Sequence, residues 1–115
     1  MAKRAAKNLS TIRAMQQDIA KWANKVFPDR TAHKTLSKLM LEEIPEVVVA
    51  LRKIKEGNKD VDLGTEIADA FILLFDVAYQ NGIDVADVVT EKMRINKARE
   101  WSVDEETGLM NHRKK

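Results

Sequence analysis

Apolar residues recur at spacings of three and four along most of this chain, and that period predicts α-helices. Clusters of turn residues such as Asn81-Gly82 separate the periodic stretches. No alternation typical of strands is visible, and residues 101–115 show no clear period. The fold class is therefore predicted to be all-α, most simply a four-helix arrangement. The predicted helices span residues 8–26, 31–56, 62–80 and 84–99.

The apolar stripe of the second predicted helix is interrupted at its centre by Glu43. A carboxylate in a core stripe must find a partner or a metal ion. Glu42 and Glu46 flank it, and Pro45 is expected to kink the helix because proline cannot donate the helical hydrogen bond. Alternatively, the helix begins near Pro45, and Glu42 and Glu43 are ordinary acids at its N-terminus. The stripe consists of Leu36, Met40, Val47, Leu51 and Ile54.

The third predicted helix is apolar nearly all round, which indicates a buried helix. Its acids Glu66, Asp69 and Asp76 lie close to one face at about 100° per residue. If this helix packs antiparallel to the second, four or five carboxylates converge. Each close pair of like charges then costs on the order of 4 kcal/mol at an effective dielectric constant of about 20.

A hard divalent cation with oxygen ligands is the natural means of offsetting this repulsion. The alternative is a set of buried salt bridges to Lys or Arg. Neither helix supplies cations on the matching face, so the metal interpretation is favoured.

The fourth predicted helix changes character halfway along. Val85 and Val89 begin an apolar stripe that continues as Lys92, Asn96 and Arg99. Lys and Arg are suited to phosphate oxygens. The alternative is a solvated helix end whose cations complement the helix dipole. Beside an acidic metal site, these side chains are better interpreted as the phosphate half of one pocket.

Composition narrows the function further. The 115 residues suffice for a single domain, with 44% hydrophobic and 33% charged residues. The chain has no cysteine, no signal-peptide pattern and no apolar run that could span a bilayer, so a cytoplasmic protein is expected. Its two histidines, His33 and His112, are too few for a histidine-rich metal centre, and no Glu-x-x-His pair is present for a di-iron site.

The basic balance of the chain comes from its ends. Residues 1–7 and 113–115, interpreted as basic tails, hold six cations; removing these six from the net charge of +2 leaves −4 on residues 8–112. A nucleic-acid-binding protein is expected to carry its basic residues on a folded face. Nucleic acid is therefore an improbable partner.

Four motifs occur in the order found in a known family. Glu43-x-x-Glu46 followed by Glu66-x-x-Asp69 resembles the signature of the MazG-like, all-α nucleoside triphosphate pyrophosphohydrolases. The resemblance covers roughly residues 19–100. The motifs are Lys38-Leu-Met-Leu-Glu-Glu, the run Ile67-Ala-Asp-Ala-Phe-Ile-Leu-Leu-Phe-Asp76, Gly82-Ile-Asp, and Lys92-Met-x-x-Asn96-x-x-Arg99.

The C-terminal extension, residues 101–112, adds to this resemblance. The stretch from Arg99-Glu-Trp101 through Gly108 to His112 is similar to MazG-like enzymes that act on dATP and dGTP, often in phage nucleotide metabolism. The resemblance implies a four-helix bundle completed by homo-oligomerisation, as a homodimer or homotetramer. For a phage-encoded protein, the setting is the host cytoplasm.

The implied activity is Mg²⁺-dependent hydrolysis of nucleoside triphosphates, especially purine dNTPs, to the monophosphate and pyrophosphate, with Mn²⁺ as a substitute metal. Glu43, Glu46, Glu66 and Asp69 would hold the metal, and either Glu42 or Glu46 would activate water. Asp76 would contact the metal ligands without binding the metal itself, or it would pair with Lys92. The expected substrate-binding residues are Lys38, Asp76, Lys92, Asn96, Arg99 and Trp101.

Two points stay open at this stage. Trp22, Phe27 and Trp101 are the rings available to stack on a base, but ordinary core packing is favoured for Trp22 and Phe27. The competing function is a non-catalytic helical interaction protein, or one associated with nucleic acid through its basic tails.

Overall fold

The computed structural model describes residues 11–112 and divides into two compact units between Val85 and Ala86. The predicted basic tails, residues 1–7 and 113–115, lie outside the described residues. A π-helical turn over Leu39–Glu43 connects α2 to α3. The elements are α1 Ile12–Val26, α2 Ala32–Lys38, α3 Ile44–Lys55, α4 Leu63–Gln80, α5 Val85–Ala98, β1 Trp101–Val103 and β2 Met110–His112.

The predicted helix 31–56 is one continuous helical path with a change of pitch in its middle. Glu43 and Ile44 keep right-handed helical dihedral angles, and the Ile44 N–H donates to the Leu39 carbonyl five residues earlier. Pro45 therefore sits just inside α3, where the wide π-helical turn accommodates its missing N–H. The alternative that a new helix begins near Pro45 is wrong. The expected disturbance takes the form of a π-helical turn that ends at Glu43.

Side-chain caps define where the helices begin. Thr11 Oγ1 accepts from the Ala14 amide at 3.0 Å, so Thr11 caps α1. Asp62 caps α4: its Oδ1 accepts from the Thr65 amide at 3.0 Å, and its Oδ2 accepts from the Thr65 hydroxyl at 2.7 Å. This cap places Glu66 in the first turn of α4, where a carboxylate interacts favourably with the helix dipole.

Helix α4 is the centre of the first unit and packs against α1, α2 and α3. The buried side chain of Gln16 connects α1 to the C-terminal end of α4. Its amide nitrogen donates to the carbonyls of Phe75 and Ile83, and its oxygen accepts from the Val85 amide. Gly82, with φ +68°, ends α4 in a Schellman-type turn, with the amide of Ile83 bonded to the carbonyl of Ala78.

The core of the single chain is small, and two stretches that were predicted to be buried are largely exposed in it. The apolar stripe of the second predicted helix is largely exposed, at Leu36, Met40, Leu51 and Ile54. Helix α4 is not buried all round, because large apolar side chains on one face are open to solvent. An apolar groove of about 280 Å³ is lined by Leu39, Ile44, Val47, Ile67, Ala70, Phe71 and Leu74.

The second unit contains a feature that the sequence pattern did not predict. The extension 101–112 forms an antiparallel hairpin whose backbone register pairs Trp101 with His112 and Val103 with Met110. Asp104 Oδ1 accepts from the amides of Glu106 and Thr107 at 2.9 Å, which lowers the pKa of the Asp104 carboxyl. Strands of three residues are too short to show alternation, so only this turn chemistry could have revealed the hairpin.

No helix among the described residues is long and apolar enough to cross a membrane.

Candidate metal and nucleotide site

Three carboxylates meet where the second helical path passes the start of α4. Glu43 ends the π-helical turn, and Glu46 and Glu66 lie in the first turns of α3 and α4. One oxygen from each lies within 4.8 Å of the other two. The predicted convergence of acids from these two helices is therefore present at Glu43, Glu46 and Glu66.

Two oxygens of this cluster are buried and have no hydrogen-bond partner among the described residues: Glu43 Oε2 and Glu66 Oε2. The Glu43 side chain is only 12% exposed. Burial raises the pKa of Glu43, and the nearby charges of Glu46 and Asp69 raise it further, whereas Lys38 opposes the shift. A desolvated carboxylate oxygen without a donor is costly. A closely spaced set of hard oxygen donors therefore fits a divalent cation such as Mg²⁺ or Mn²⁺.

Asp69, predicted as the fourth metal ligand, lies one turn after Glu66 and is partly buried. It lines the same cavity as Glu43 and is close enough to raise the pKa of Glu43, but it lies outside the three-carboxylate cluster. Its role as a ligand stays a prediction.

The double acid Glu42-Glu43 resolves into two different environments. Glu42 is 59% exposed and accepts from Lys38 Nζ at 3.3 Å, whereas the same ammonium lies 3.6 Å from Glu43 Oε1. Only Glu43 joins the carboxylate cluster. This geometry favours Glu43 over Glu42 as the residue that would ligate a metal.

Asp76 has a partner that the sequence interpretation missed. Arg30 Nε and Nη2 donate to its two carboxylate oxygens at 2.7 and 2.8 Å, and Gln80 Nε2 donates at 2.9 Å. Arg30, rather than the predicted Lys92, is thus the ion-pair partner observed for Asp76. The cation comes from the loop between α1 and α2, so helical periodicity could not place it. For this acid, the buried salt bridge considered as an alternative is the observed arrangement.

A cavity of about 430 Å³ adjoins the acidic cluster and combines three kinds of lining. Trp22 and Phe27 form an edge-to-face pair with centroids 5.6 Å apart, and each is about half exposed. Two cations, Lys34 and Lys38, line the cavity, and so do two carboxylates, Glu43 and Asp69. The interpretation of Trp22 and Phe27 as ordinary core aromatics is wrong, because both rings stand at an open cavity.

The predicted phosphate-binding residues of α5 lie in the second unit: Lys92, Asn96 and Arg99, followed by Trp101. The Trp101 indole N–H donates to the Asn96 carbonyl at 2.7 Å, which joins the start of the hairpin to the last turn of α5. Asn96 Oδ1 is buried without a hydrogen-bond partner among the described residues. The roles of these four residues toward substrate stay predictions.

Comparisons with known proteins identify the family to which this chain is similar. Residues 31–107 match the MazG nucleotide pyrophosphohydrolase domain. The chain is 39% identical over 100 residues to a dATP/dGTP diphosphohydrolase of Salmonella phage PMBT28, an alignment that covers 87% of this chain and 31% of that relative. It is 35% identical over 103 residues to a dATP/dGTP diphosphohydrolase of Cyanophage S-2L, covering 90% of this chain and 89% of the relative.

A solved structure extends the similarity to three dimensions. The Cyanophage S-2L MazG-like pyrophosphohydrolase, bound to dGDP and three catalytic Mn²⁺ ions per active site, superposes with a TM-score of 0.71 and 33% identity. The match covers 91% of this chain and 99% of that one, and it confirms the predicted all-α MazG-like fold. With its acidic cluster, domain match and phage relatives, the chain belongs to the MazG nucleotide pyrophosphohydrolase family, in the subgroup of the dATP/dGTP diphosphohydrolases, and is a nucleoside triphosphate diphosphatase.

Proposed function

We propose that the enzyme hydrolyses purine deoxynucleoside triphosphates, dATP and dGTP, to the monophosphate and pyrophosphate, with Mg²⁺ as its metal and Mn²⁺ as a substitute. The observation that carries this proposal is the pair of buried carboxylate oxygens without partners, Glu43 Oε2 and Glu66 Oε2, beside Glu46. The names of the phage relatives and the dGDP and Mn²⁺ bound in the cyanophage structure support the substrate and metal classes.

Glu43, Glu46, Glu66 and Asp69 would hold the metal. When bound, divalent ions neutralise charge on the phosphate oxygens and orient them. We place Glu46 as the base as well: one of its carboxylate oxygens would hold the metal, and the other would take a proton from the attacking water, because Glu46 is exposed and lies within the cluster. Glu42, the other candidate, is already paired with Lys38. The water oxygen adds to the α-phosphorus as the bond from this phosphorus to the bridging oxygen breaks, and pyrophosphate leaves.

The cavity beside the carboxylates is suited to the nucleoside half of the substrate. The half-exposed rings of Trp22 and Phe27 can stack on a purine, and Lys34 and Lys38 line the same cavity. Stacking on aromatic rings contributes about 1–3 kcal/mol per base in nucleic-acid complexes. Lys92, Asn96, Arg99 and Trp101 stay predicted contacts of the phosphate tail.

The exposed apolar face of α3 and α4 supports a homodimer or homotetramer. Ile44, Ile67, Phe71 and Leu74 line one groove there and would otherwise be exposed to water. A monomer rarely exposes large contiguous apolar patches, and a second copy of the chain would cover this one. The phage relatives support a setting in the host cytoplasm.

A nucleotide panel tests the proposed function. Purified protein would be incubated with each of the four dNTPs and four NTPs in Mg²⁺ and then in Mn²⁺. Products would be separated by anion-exchange chromatography. We expect dATP and dGTP to be converted fastest, to monophosphate and pyrophosphate in equal amounts. Release of orthophosphate, or a preference for pyrimidines, would contradict the proposal. No turnover of any nucleotide would instead support a non-catalytic helical protein.

A further inference from the structure

The ammonium of Lys38 lies between two carboxylates with unequal roles. Its Nζ is 3.3 Å from Glu42 Oε2 and 3.6 Å from Glu43 Oε1. Glu42 is 59% exposed and stands outside the cluster, whereas Glu43 belongs to it. Lys38 is therefore poised between a solvated partner and a carboxylate of the candidate metal site.

This arrangement conflicts with occupancy of the site by a cation. A divalent ion held by Glu43 would repel an ammonium that contacts the same carboxylate. The side chain of Lys38 is 51% exposed and has a flexible four-carbon stem, so the ammonium can move without disturbing the helix. It also lines the cavity that adjoins the cluster, within the space where we place substrate.

We infer that Lys38 is a positioning residue that exchanges partners: it neutralises Glu43 in the metal-free enzyme, stays on Glu42 when metal binds, and contacts a substrate phosphate in the complex. This inference rests on the proposed function. It gives Glu42 a role as the holding partner of Lys38 rather than as the base. Lys38 thereby opposes binding of the metal alone and favours binding of the metal together with the nucleotide.

Lys34 provides the matched control. It lies one turn before Lys38 on α2 and lines the same cavity. Within residues 11–112, no ion pair joins Lys34 to a carboxylate, so it should not compete with a metal.

The test uses calorimetry on variants of Lys38 to measure the affinity for Mn²⁺ alone and the affinity for a nucleotide analogue together with Mn²⁺. Mn²⁺ alone should bind Lys38→Met about threefold more tightly than wild type, the size expected for loss of one exposed ion pair. The non-hydrolysable α,β-methylene dGTP with Mn²⁺ should bind Lys38→Met about tenfold more weakly, because a charge-assisted contact is lost. Lys34→Met should leave the affinity for Mn²⁺ alone unchanged, and Lys38→Arg should restore both values toward wild type.

A double-mutant cycle isolates the role of Glu42. Glu42→Gln should weaken binding of Mn²⁺ alone by about threefold, and this effect should disappear in the Lys38→Met background. Equal effects in both backgrounds would mean that Glu42 acts by its own charge, and would overturn the exchange.

The two levels of the proposal fail in different ways. If Lys38→Met weakens both affinities, or changes neither, the exchange is overturned while the proposed function stands. If the wild-type protein binds no Mn²⁺ and hydrolyses no nucleotide, both are overturned. Thermal unfolding of each variant in EDTA confirms that the changes do not arise from loss of folding.

Discussion

Glu43→Gln is expected to lower turnover of dGTP at least about a hundredfold. Changing a residue that only hydrogen-bonds to a metal ligand already costs about 10–100-fold in metal affinity or activity, and Glu43 is a proposed ligand itself. The same substitution should leave the metal-free protein at least as stable as wild type. Glu43 is buried beside Glu46, and one of its oxygens has no donor, so removing its charge relieves repulsion. Loss of activity without loss of stability is the signature of a ligand rather than of a structural residue.

The stability comparison carries a pH dependence with a definite sign. Because the pKa of Glu43 is raised in the folded protein, its contribution favours folding at low pH and is lost as pH rises through the folded value. The stability of Glu43→Gln relative to wild type, measured by urea unfolding in EDTA, should therefore increase as pH rises above about 4.3. Glu56→Gln, at an exposed position just after α3, is the control and should change neither rate nor stability. Near-normal turnover by Glu43→Gln would remove Glu43 from the proposed metal ligands.

Arg30→Met is expected to lower the free energy of unfolding by about 3–5 kcal/mol, because it leaves the buried carboxylate of Asp76 without its counter-charge. Asp76 is only 4% exposed, and Arg30 is 12% exposed. Urea unfolding measures the loss. Arg52→Met, which removes an exposed guanidinium from α3, should change stability little.

The double variant Arg30→Met with Asp76→Leu separates packing from charge. Replacing both members of a buried ion pair with apolar residues is often neutral, so most of the lost stability should return. Asp76→Asn distinguishes the structural role from the predicted substrate-binding role. If Asp76 acts through Arg30, this variant loses stability with little change in KM. A large rise in KM at unchanged stability would instead support direct contact with substrate.

Helical periodicity was sufficient to predict the helices and the carboxylates, because both follow from spacing along one chain. The positions of Glu43, Glu46 and Glu66 on two apolar helices predicted that these acids would meet. Periodicity could not supply the partner of Asp76, because Arg30 comes from a loop and reaches α4 through tertiary packing. Periodicity did place Glu43, rather than Glu42, inside the apolar stripe, and the structure agrees: Glu43 joins the carboxylate cluster, whereas Glu42 is exposed.

The differences between the predicted burial and the exposure in the single chain have a common physical origin. A hydrophobic stripe indicates that a surface is covered, but not by which chain. Leu51 and Phe71 have the pattern of core residues and are exposed in the single chain, as expected if a second copy covers them. The hairpin was missed for a different reason: its strands are three residues long, and its register depends on the Asp104 turn.

Anomalous scattering from a crystal of the enzyme grown with Mn²⁺ and dGMP would test the metal site most directly. We expect anomalous peaks within bonding distance of the carboxylates of Glu43, Glu46 and Glu66, with Asp69 as a further ligand. Peaks only elsewhere on the protein, in crystals of a preparation that hydrolyses dGTP, would show that these buried acids do not hold the catalytic metal.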